Sequence, residues 1–481
     1  MSLPVQFILN DKEVKTSEPA GTLVLDYLRR TEKLMGTKEG CKEGDCGACM
    51  VLVGELHGQQ VTYQPVTSCL MPIGELHGKH LATIEGLNME RLSPVQQAIV
   101  DSGGSQCGFC TPGFVVSLTG YLMSAGFELN RDGIKYALGG NLCRCTGYAS
   151  LKRAGDILVD KFADGFSSSN GRESNPVDYL IKNQALPEYF KTIPARLKKI
   201  PELKVPAQKN GSACFIAGGT DIYVQKGEQL PEKPVSLLNL FPEMKGIRRK
   251  NGRLHIGALT TFEALASHPE VQKIIPDIKA YMHFNASWQI RNRATVGGNI
   301  VNASPIGDVT ALLLVLEATL VLKDGKKQRT VPLKTFYKGY KKLDKTPAEI
   351  LTEIIVPVPA PGAKIHFEKV AKRKTLDIAS VNSAIKIRAA DGVIVDINLT
   401  MGGVAPVPLF MQKTCDYLLG KVLNRQEILS ALQIADRELS PISDIRGSAD
   451  YKRLLVRQLL IAHFTWLFPE KLTVREFYET P

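Results

Sequence analysis

EGCKEGDCGAC, residues 39–49, is the stretch on which the reading of this chain turns. Cys41, Cys46 and Cys49 stand at C-x4-C-x2-C spacing, and Cys69 follows further along. A [2Fe–2S] cluster takes four thiolates, two per iron, and this spacing takes three from one tight loop and the fourth from a separate segment. Gly40, Gly44, Gly47 and Ala48 leave the loop free to fold around a cluster, with amides that can donate to its sulfurs. Zinc is also held by four cysteines, but usually through C-x2-C pairs. Iron–sulfur is therefore the preferred reading and structural zinc the alternative.

Working outward, residues 5–9 alternate through Val5, Phe7 and Leu9, and Asn10-Asp11 make a turn before Val14, the pattern of a hairpin. Thr22 is expected to cap a short helix through Leu28, and 50–53 and 60–66 read as two further strands. From Ser93 the pattern is helical. Ser93-Pro94 and Thr111-Pro112 are N-cap and first-position pairs leading into 95–100 and 115–123. Asn130 opens a helix to Leu138, and 148–162 carries Leu151, Ala154, Leu158 and Phe162 at helical spacing. Two loops beside these helices hold the second cysteine set: SQCGFCTPG (105–113) with Cys107 and Cys110, and GGNLCRCTGY (139–148) with Cys143 and Cys145. Two pairs from two helical hairpins can hold a second cluster in a bundle; on spacing alone a zinc clip stays open.

Composition narrows the class. Lys and Arg number 60 against 48 Asp and Glu, a net charge of +12. The excess is scattered apart from Lys372, Arg373 and Lys374, which suits a mildly basic surface better than a nucleic-acid stripe. No basic segment precedes an apolar core at the N-terminus, and no apolar run reaches about 18 residues, so a cytoplasmic protein that does not span a membrane is expected. Eight of the 10 cysteines lie between Cys41 and Cys145, with only Cys214 and Cys415 beyond. In a cytoplasmic chain that crowding speaks for metal ligation rather than disulfides.

Residues 163–176 (ADGFSSSNGRESNP) are polar and aperiodic, as a linker is. Beyond them FIAGGTDIYV (215–224) reads as a strand running into a glycine turn. Gly218 and Gly219 would let backbone amides approach a pyrophosphate, and Thr220 adds a hydroxyl. ATVGGNIVNASPIGD (294–308) repeats that logic with Gly297, Gly298, Asn299 and Ser304. Neither is G-x-G-x-x-G; alone each is a plain turn, and together they favour a dinucleotide site of another kind. PVPAP (357–361) marks a second boundary. Strands at 364–370, 384–389 and 394–401 and then helices complete the chain, where GGVAPVP (402–408) reads as a turn or edge strand and His463 and Trp466 as packing residues.

The three cysteine segments, in this order, resemble the cluster-binding segments of the molybdenum hydroxylases, the xanthine dehydrogenase family, and the resemblance continues through the chain. It implies a multidomain α+β fold. Residues 1–80 would be a plant-type ferredoxin-like domain of β-grasp form, 81–165 a four-helix [2Fe–2S] bundle and 166–190 a linker. Residues 191–360 would form a two-part FAD-binding domain of PCMH type, and 361–481 a C-terminal domain like that of CO dehydrogenase flavoproteins. All eight cysteines would be cluster ligands, and Gln106 would contact the molybdopterin of a larger partner subunit. Phe215, Ile216, Ala217, Gly218, Gly219, Thr220, Asp221 and Ile222, with Thr295, Val296, Gly297, Gly298 and Asn299, would cradle the FAD diphosphate and ribityl chain. Ser304, Asp308, Leu351 and Lys369 would complete the site, and TFYKGYKK (335–342) resembles a segment near flavin and pyridine nucleotide.

Two positions depart from the family: Asn285, beside Phe284, stands where an aromatic is common, and Leu376 in KRKTLDIAS (372–380) stands where many members carry an acidic residue beside the flavin. The second departure leaves the electron acceptor open. The implied function is electron transfer from a partner that oxidises a purine, through two [2Fe–2S] clusters and FAD, to NAD, in a dimer of heterodimers, with no acid or base of this chain in the chemistry. A related hydroxylase for an aldehyde or N-heterocycle is the nearest alternative, and a zinc-stabilised scaffold the alternative from another class.

Overall fold

Alternation at residues 5–9 makes one face of the first strand apolar, and the fold covers that face. In the computed structural model, which describes residues 4–125, 129–167, 175–203 and 213–478, Val5–Leu9 pairs antiparallel with Lys12–Thr16 across a turn in which Asn10 takes φ 52°, a conformation asparagine tolerates. The sheet runs Lys12–Thr16, Val5–Leu9, His80–Ala82, Met50–His57, Gln60–Thr67. Only the pairing of Val5–Leu9 with His80–Ala82 is parallel. Phe7 is fully buried against Tyr27, ring centroids 6.1 Å apart; burying a side chain of this size contributes about 1.5–3 kcal/mol. The helical segment on this sheet starts at Leu23 with no side-chain cap, so Thr22 is not the cap, and it widens to a π turn over Tyr27–Thr31.

The four expected helices are present as Pro94–Asp101, Thr111–Ala125, Arg131–Leu138 and Ala149–Ser167. Ser93 and Gln96 form a reciprocal capping box, and Asn130 caps the third helix. Their core continues past the expected linker. Residues 168–174 lie outside the described ones, but Pro176–Lys182 is a helix whose Val177, Leu180 and Ile181 are buried in the same core, joined by Phe190 and Ile193. The later part of 166–190 is therefore packed, because its apolar residues recur at helical spacing.

By contacts the chain forms two units, residues 1–240 with 286–294, and 241–285 with 295–481. The expected FAD-binding stretch is thus divided between them. In the first unit Cys214–Ile216 pairs parallel with Val235–Leu237, with a short helix Ile222–Lys226 between. In the second, an antiparallel sheet runs Lys327–Pro332, Thr319–Asp324, Ile350–Pro357, Arg253–Gly257, Ile247–Lys250. A second antiparallel sheet, Lys364–Val370, Val381–Ala390, Val393–Gly402, Leu409–Phe410, is covered by Gln412–Leu418, Arg425–Glu438 and Ala449–Leu467. His463 is buried as expected of a packing residue. Trp466 is not: it is 68% exposed and stacks on His366 at 5.6 Å.

Candidate functional site

The cysteine loops place their sulfurs in pairs. Cys107 Sγ lies 3.7 Å from Cys145 Sγ, and Cys41 meets Cys46, Cys49 meets Cys69 and Cys110 meets Cys143 at hydrogen-bonding range. A cluster of two irons takes its thiolates two at a time, so pairs are the arrangement it needs.

In three of the pairs one thiol is held low while its partner, Cys46, Cys69 or Cys110, is pushed up. Cys41 is lowered to about 5 by its hydrogen bond with Cys46, aided by backbone amides against the opposing effect of burial. Hydrogen bonding to Cys69 holds Cys49 low. Burial, with the hydrogen bond to Cys143, pushes Cys110 up to about 12. Burial works upward on Cys143 too, but the Thr146 hydroxyl at 3.1 Å and its amide at 3.4 Å hold it down. Further amides point at the first quartet: Cys41 N–H donates to Cys46 Sγ at 3.4 Å and Glu43 N–H to Cys41 Sγ at 3.3 Å.

The two quartets belong to one packed body. Leu142 N–H, next to Cys143, donates to the Cys46 carbonyl at 2.9 Å. A β-carbon on Gly113 would stand 2.2 Å from the Gly47 carbonyl oxygen, so only glycine lets the helix after Cys110 approach the first loop this closely. Exposure grades across the set. Cys49 and Cys69 are 3% and 1% exposed, whereas Cys107 and Cys145 are at the surface beside exposed Phe109 and Leu142. Gln106, also exposed, donates to the Cys145 carbonyl at 3.3 Å.

The first flavin candidate, 215–222, lies in the first unit. Phe215 and Ile216 end a strand, and Ala217, Gly218, Gly219, Thr220 and Asp221 form the turn before the helix that starts at Ile222. Among the described residues no partner is found for the amides of Gly218, Gly219 and Thr220, so they remain available to an anion. A β-carbon would not fit at either glycine: on Gly218 it would stand 2.0 Å from the Arg293 carbonyl oxygen, and Gly219 takes φ 76° with the Leu70 carbonyl 2.8 Å from the same position. A turn whose glycines leave no room for side chains, and whose three amides have no partner among the described residues, carries the donors that a diphosphate takes.

The second candidate, in the second unit, differs from its expected form. Thr295 is an N-cap, and Val296, Gly297, Gly298 and Asn299 are the first turn of the helix Val296–Asn302. The amides there are already used: Val296 donates to the Thr260 carbonyl, Gly297 to Ala258, Gly298 to the Thr295 hydroxyl and Asn299 to the Thr295 carbonyl. A lone glycine pair reads as a turn in sequence, but here Gly297 is needed because a β-carbon would stand 2.8 Å from the Ala258 carbonyl oxygen. The Asn299 side chain accepts from the Thr310 hydroxyl at 2.9 Å and Ser304 Oγ from the Ile306 amide. Asp308 and Lys369 are brought together at 2.7 Å as a buried ion pair, with Asn382 donating to the other Asp308 oxygen. Leu351 sits in the core of its sheet, 4% exposed. In 335–342, the Tyr337 hydroxyl donates to the Ile300 carbonyl and Tyr340 is exposed. Leu376 is nearly buried with φ 55°, a conformation that costs a residue other than glycine about 1–2 kcal/mol.

Sequence reasoning missed three residues that hold the first turn. Glu75 accepts from both Arg293 terminal nitrogens, at 3.1 and 3.4 Å, and Arg293 also donates to the Gly218 carbonyl at 2.8 Å. Asn239 donates to Glu75 at 3.1 Å and to the Ala217 carbonyl at 3.0 Å. No local pattern marks them, since their partners lie 22 to 218 positions away.

Four family models match the chain in series: a 2Fe-2S iron-sulfur cluster binding domain at residues 7–74, a [2Fe-2S] binding domain at 83–156, the FAD binding domain in molybdopterin dehydrogenase at 190–359, and the CO dehydrogenase flavoprotein C-terminal domain at 366–467. Xanthine dehydrogenase of Oryza sativa subsp. japonica is 32% identical over 83% of this chain and 35% of its own length. Xanthine dehydrogenase/oxidase of Rattus norvegicus is 30% identical over 93% of this chain and 38% of its own. The chain thus spans little more than a third of the curated relatives it matches. A solved chain of carbon monoxide dehydrogenase from Hydrogenophaga pseudoflava is 32% identical, covering 52% of this chain and 86% of that one with a TM-score of 0.49. No described helix is long and apolar enough to cross a membrane. With both iron–sulfur domains and the flavin domain matched in their own order, the chain belongs to the molybdenum hydroxylase family of oxidoreductases, among the chains that carry [2Fe–2S] clusters and FAD.

Proposed function

We propose that the chain takes electrons from a larger molybdopterin-bearing partner that hydroxylates a purine such as xanthine or hypoxanthine, and delivers them to NAD. Bound clusters supply one-electron steps, and bound FAD joins these to two-electron chemistry. The observation that carries this reading is a linear order within the first unit. It runs from the exposed pair Cys107 and Cys145 to the half-buried pair Cys110 and Cys143, and on through the Leu142 to Cys46 hydrogen bond into the first quartet. It ends at Leu70, next to Cys69, whose carbonyl oxygen lies against Gly219 of the open turn.

The protein's part is spacing, burial and tuning. Amides and the Thr146 hydroxyl stabilise thiolate sulfur, and burial of Cys49 and Cys69 keeps water from the inner end. The exposed end, with Phe109 and Leu142 as apolar neighbours, is the natural partner surface, and in this reading Gln106 faces the pterin. A dimer of two such heterodimers is the expected assembly.

The test uses the complex with its partner. Cys145→Ala should remove the second cluster, halving iron from about four per chain, abolish NAD reduction and leave the FAD absorbance intact. Full NAD-linked turnover in that variant would sink the relay.

A further inference from the structure

Glu75 and Arg293 are buried charges, 1% and 7% exposed, paired at 3.1 Å. Charges taken out of water are tolerated when they are paired and hydrogen-bonded, and this pair spends its remaining bonds on one place. Arg293 donates to the Gly218 carbonyl. Glu75 accepts from Asn239, whose amide also donates to the Ala217 carbonyl. Two successive carbonyls of the turn are therefore held by side-chain donors, and the amides of Gly218, Gly219 and Thr220 have no partner among the described residues. Glu75 belongs to the iron–sulfur part of the chain: it lies in the short turn Ile73–Leu76, soon after Cys69. The same stretch meets the turn a second time where the Leu70 carbonyl closes on Gly219, and the Tyr223 hydroxyl, one helical turn on, donates to the Gly21 carbonyl at 3.0 Å.

The geometry points to Glu75 and Arg293 as a positioning clamp. Through it the segment bearing Cys69 fixes the shape of the Ala217–Gly218 turn, and so sets how tightly the chain holds FAD. The inference rests on the reading of 215–222 as the diphosphate cradle. It makes flavin retention a property of an iron–sulfur-domain carboxylate that touches no flavin. Neither residue enters the redox chemistry; each acts through the turn.

The test is made on the full chain with its clusters, reading FAD dissociation by flavin fluorescence together with iron content and thermal unfolding. Arg293→Met and Glu75→Gln should each weaken FAD binding at least about tenfold and lower the unfolding temperature, because breaking a buried pair from one side strands the other charge. Iron should stay at about four per chain. The double variant Glu75→Gln/Arg293→Met should regain thermal stability over the single variants, since no charge is left alone. Its FAD binding should stay weak, because the Gly218 carbonyl still lacks its donor. Parent-like FAD binding in the double variant would overturn the clamp even if the single variants fail to fold. Thr220→Val separates the clamp from the reading beneath it. Weakened FAD there, with parent-like binding in the clamp variants, keeps the cradle and removes the clamp; parent-like binding in all of them removes both.

Discussion

Asp308 shows how much of the second unit rests on single side chains. It is 7% exposed, its carboxylate meets Lys369 at 2.7 Å and Asn382 from the other side, and Lys369 also donates to the Phe284 carbonyl at 2.7 Å. Removing one member of such a pair leaves the other charged and dry. Asp308→Asn should therefore cost about 3–5 kcal/mol in urea unfolding of the second unit. Asp308→Asn/Lys369→Met should cost much less; an equal loss in both would mean the pair is not what holds this region. Asp308 and Lys369 are each singled out by the resemblance to the family. That they answer one another is not legible in the sequence, because they are 61 positions apart and neither neighbourhood names the other. The same limit hid Glu75 from Arg293.

Among elements, the helix Thr111–Ala125 does two jobs: it follows Cys110 directly, and its Gly113 lies on the Gly47 carbonyl of the first cysteine loop. Gly113→Ala would put a methyl group 2.2 Å from that oxygen, so the loop or the helix must give way. The expected result is weaker magnetic coupling between the two reduced clusters in electron paramagnetic resonance, with iron content unchanged. Unaltered coupling would mean that this contact does not set their spacing. The elements that sequence made legible are those with local signals: Ser93-Pro94 and Asn130 as helix starts, alternation at Val5, Phe7 and Leu9, and cysteine spacing. It misread Gly297-Gly298 as a turn because a glycine pair reports only that backbone comes close. Whether the close neighbour is a ligand or Ala258 is a tertiary fact. Thr22 failed as a cap for a related reason: the strand-like start at Leu23 is imposed by its pairing with Pro72, not by the local sequence.

At the scale of the whole molecule, acid is the expected weakness. Burial drives His80 in the first unit to about 3, against a partly opposing hydrogen bond to the Asn10 carbonyl. In the second unit burial takes His366 to about 4 and His463 well below the ordinary histidine value, the latter with His366 adding to it. Folded-state values below the unfolded value near 6.5 mean that the unfolded chain binds protons first. The stability due to these rings is full above about pH 6.5 and is lost progressively as pH falls toward about 4. Urea midpoints should therefore fall through that window, and His463→Gln should flatten the second unit's acid limb; an unchanged limb would refute the assignment. The division of the chain has a consequence for how it is made. Residues 286–294 complete the first unit although 241–285 belong to the second, and Trp288, Gln289 and Arg291 are buried within it. The first unit's packing around these residues can therefore be completed only after synthesis has passed Arg293, well beyond the last cluster cysteine.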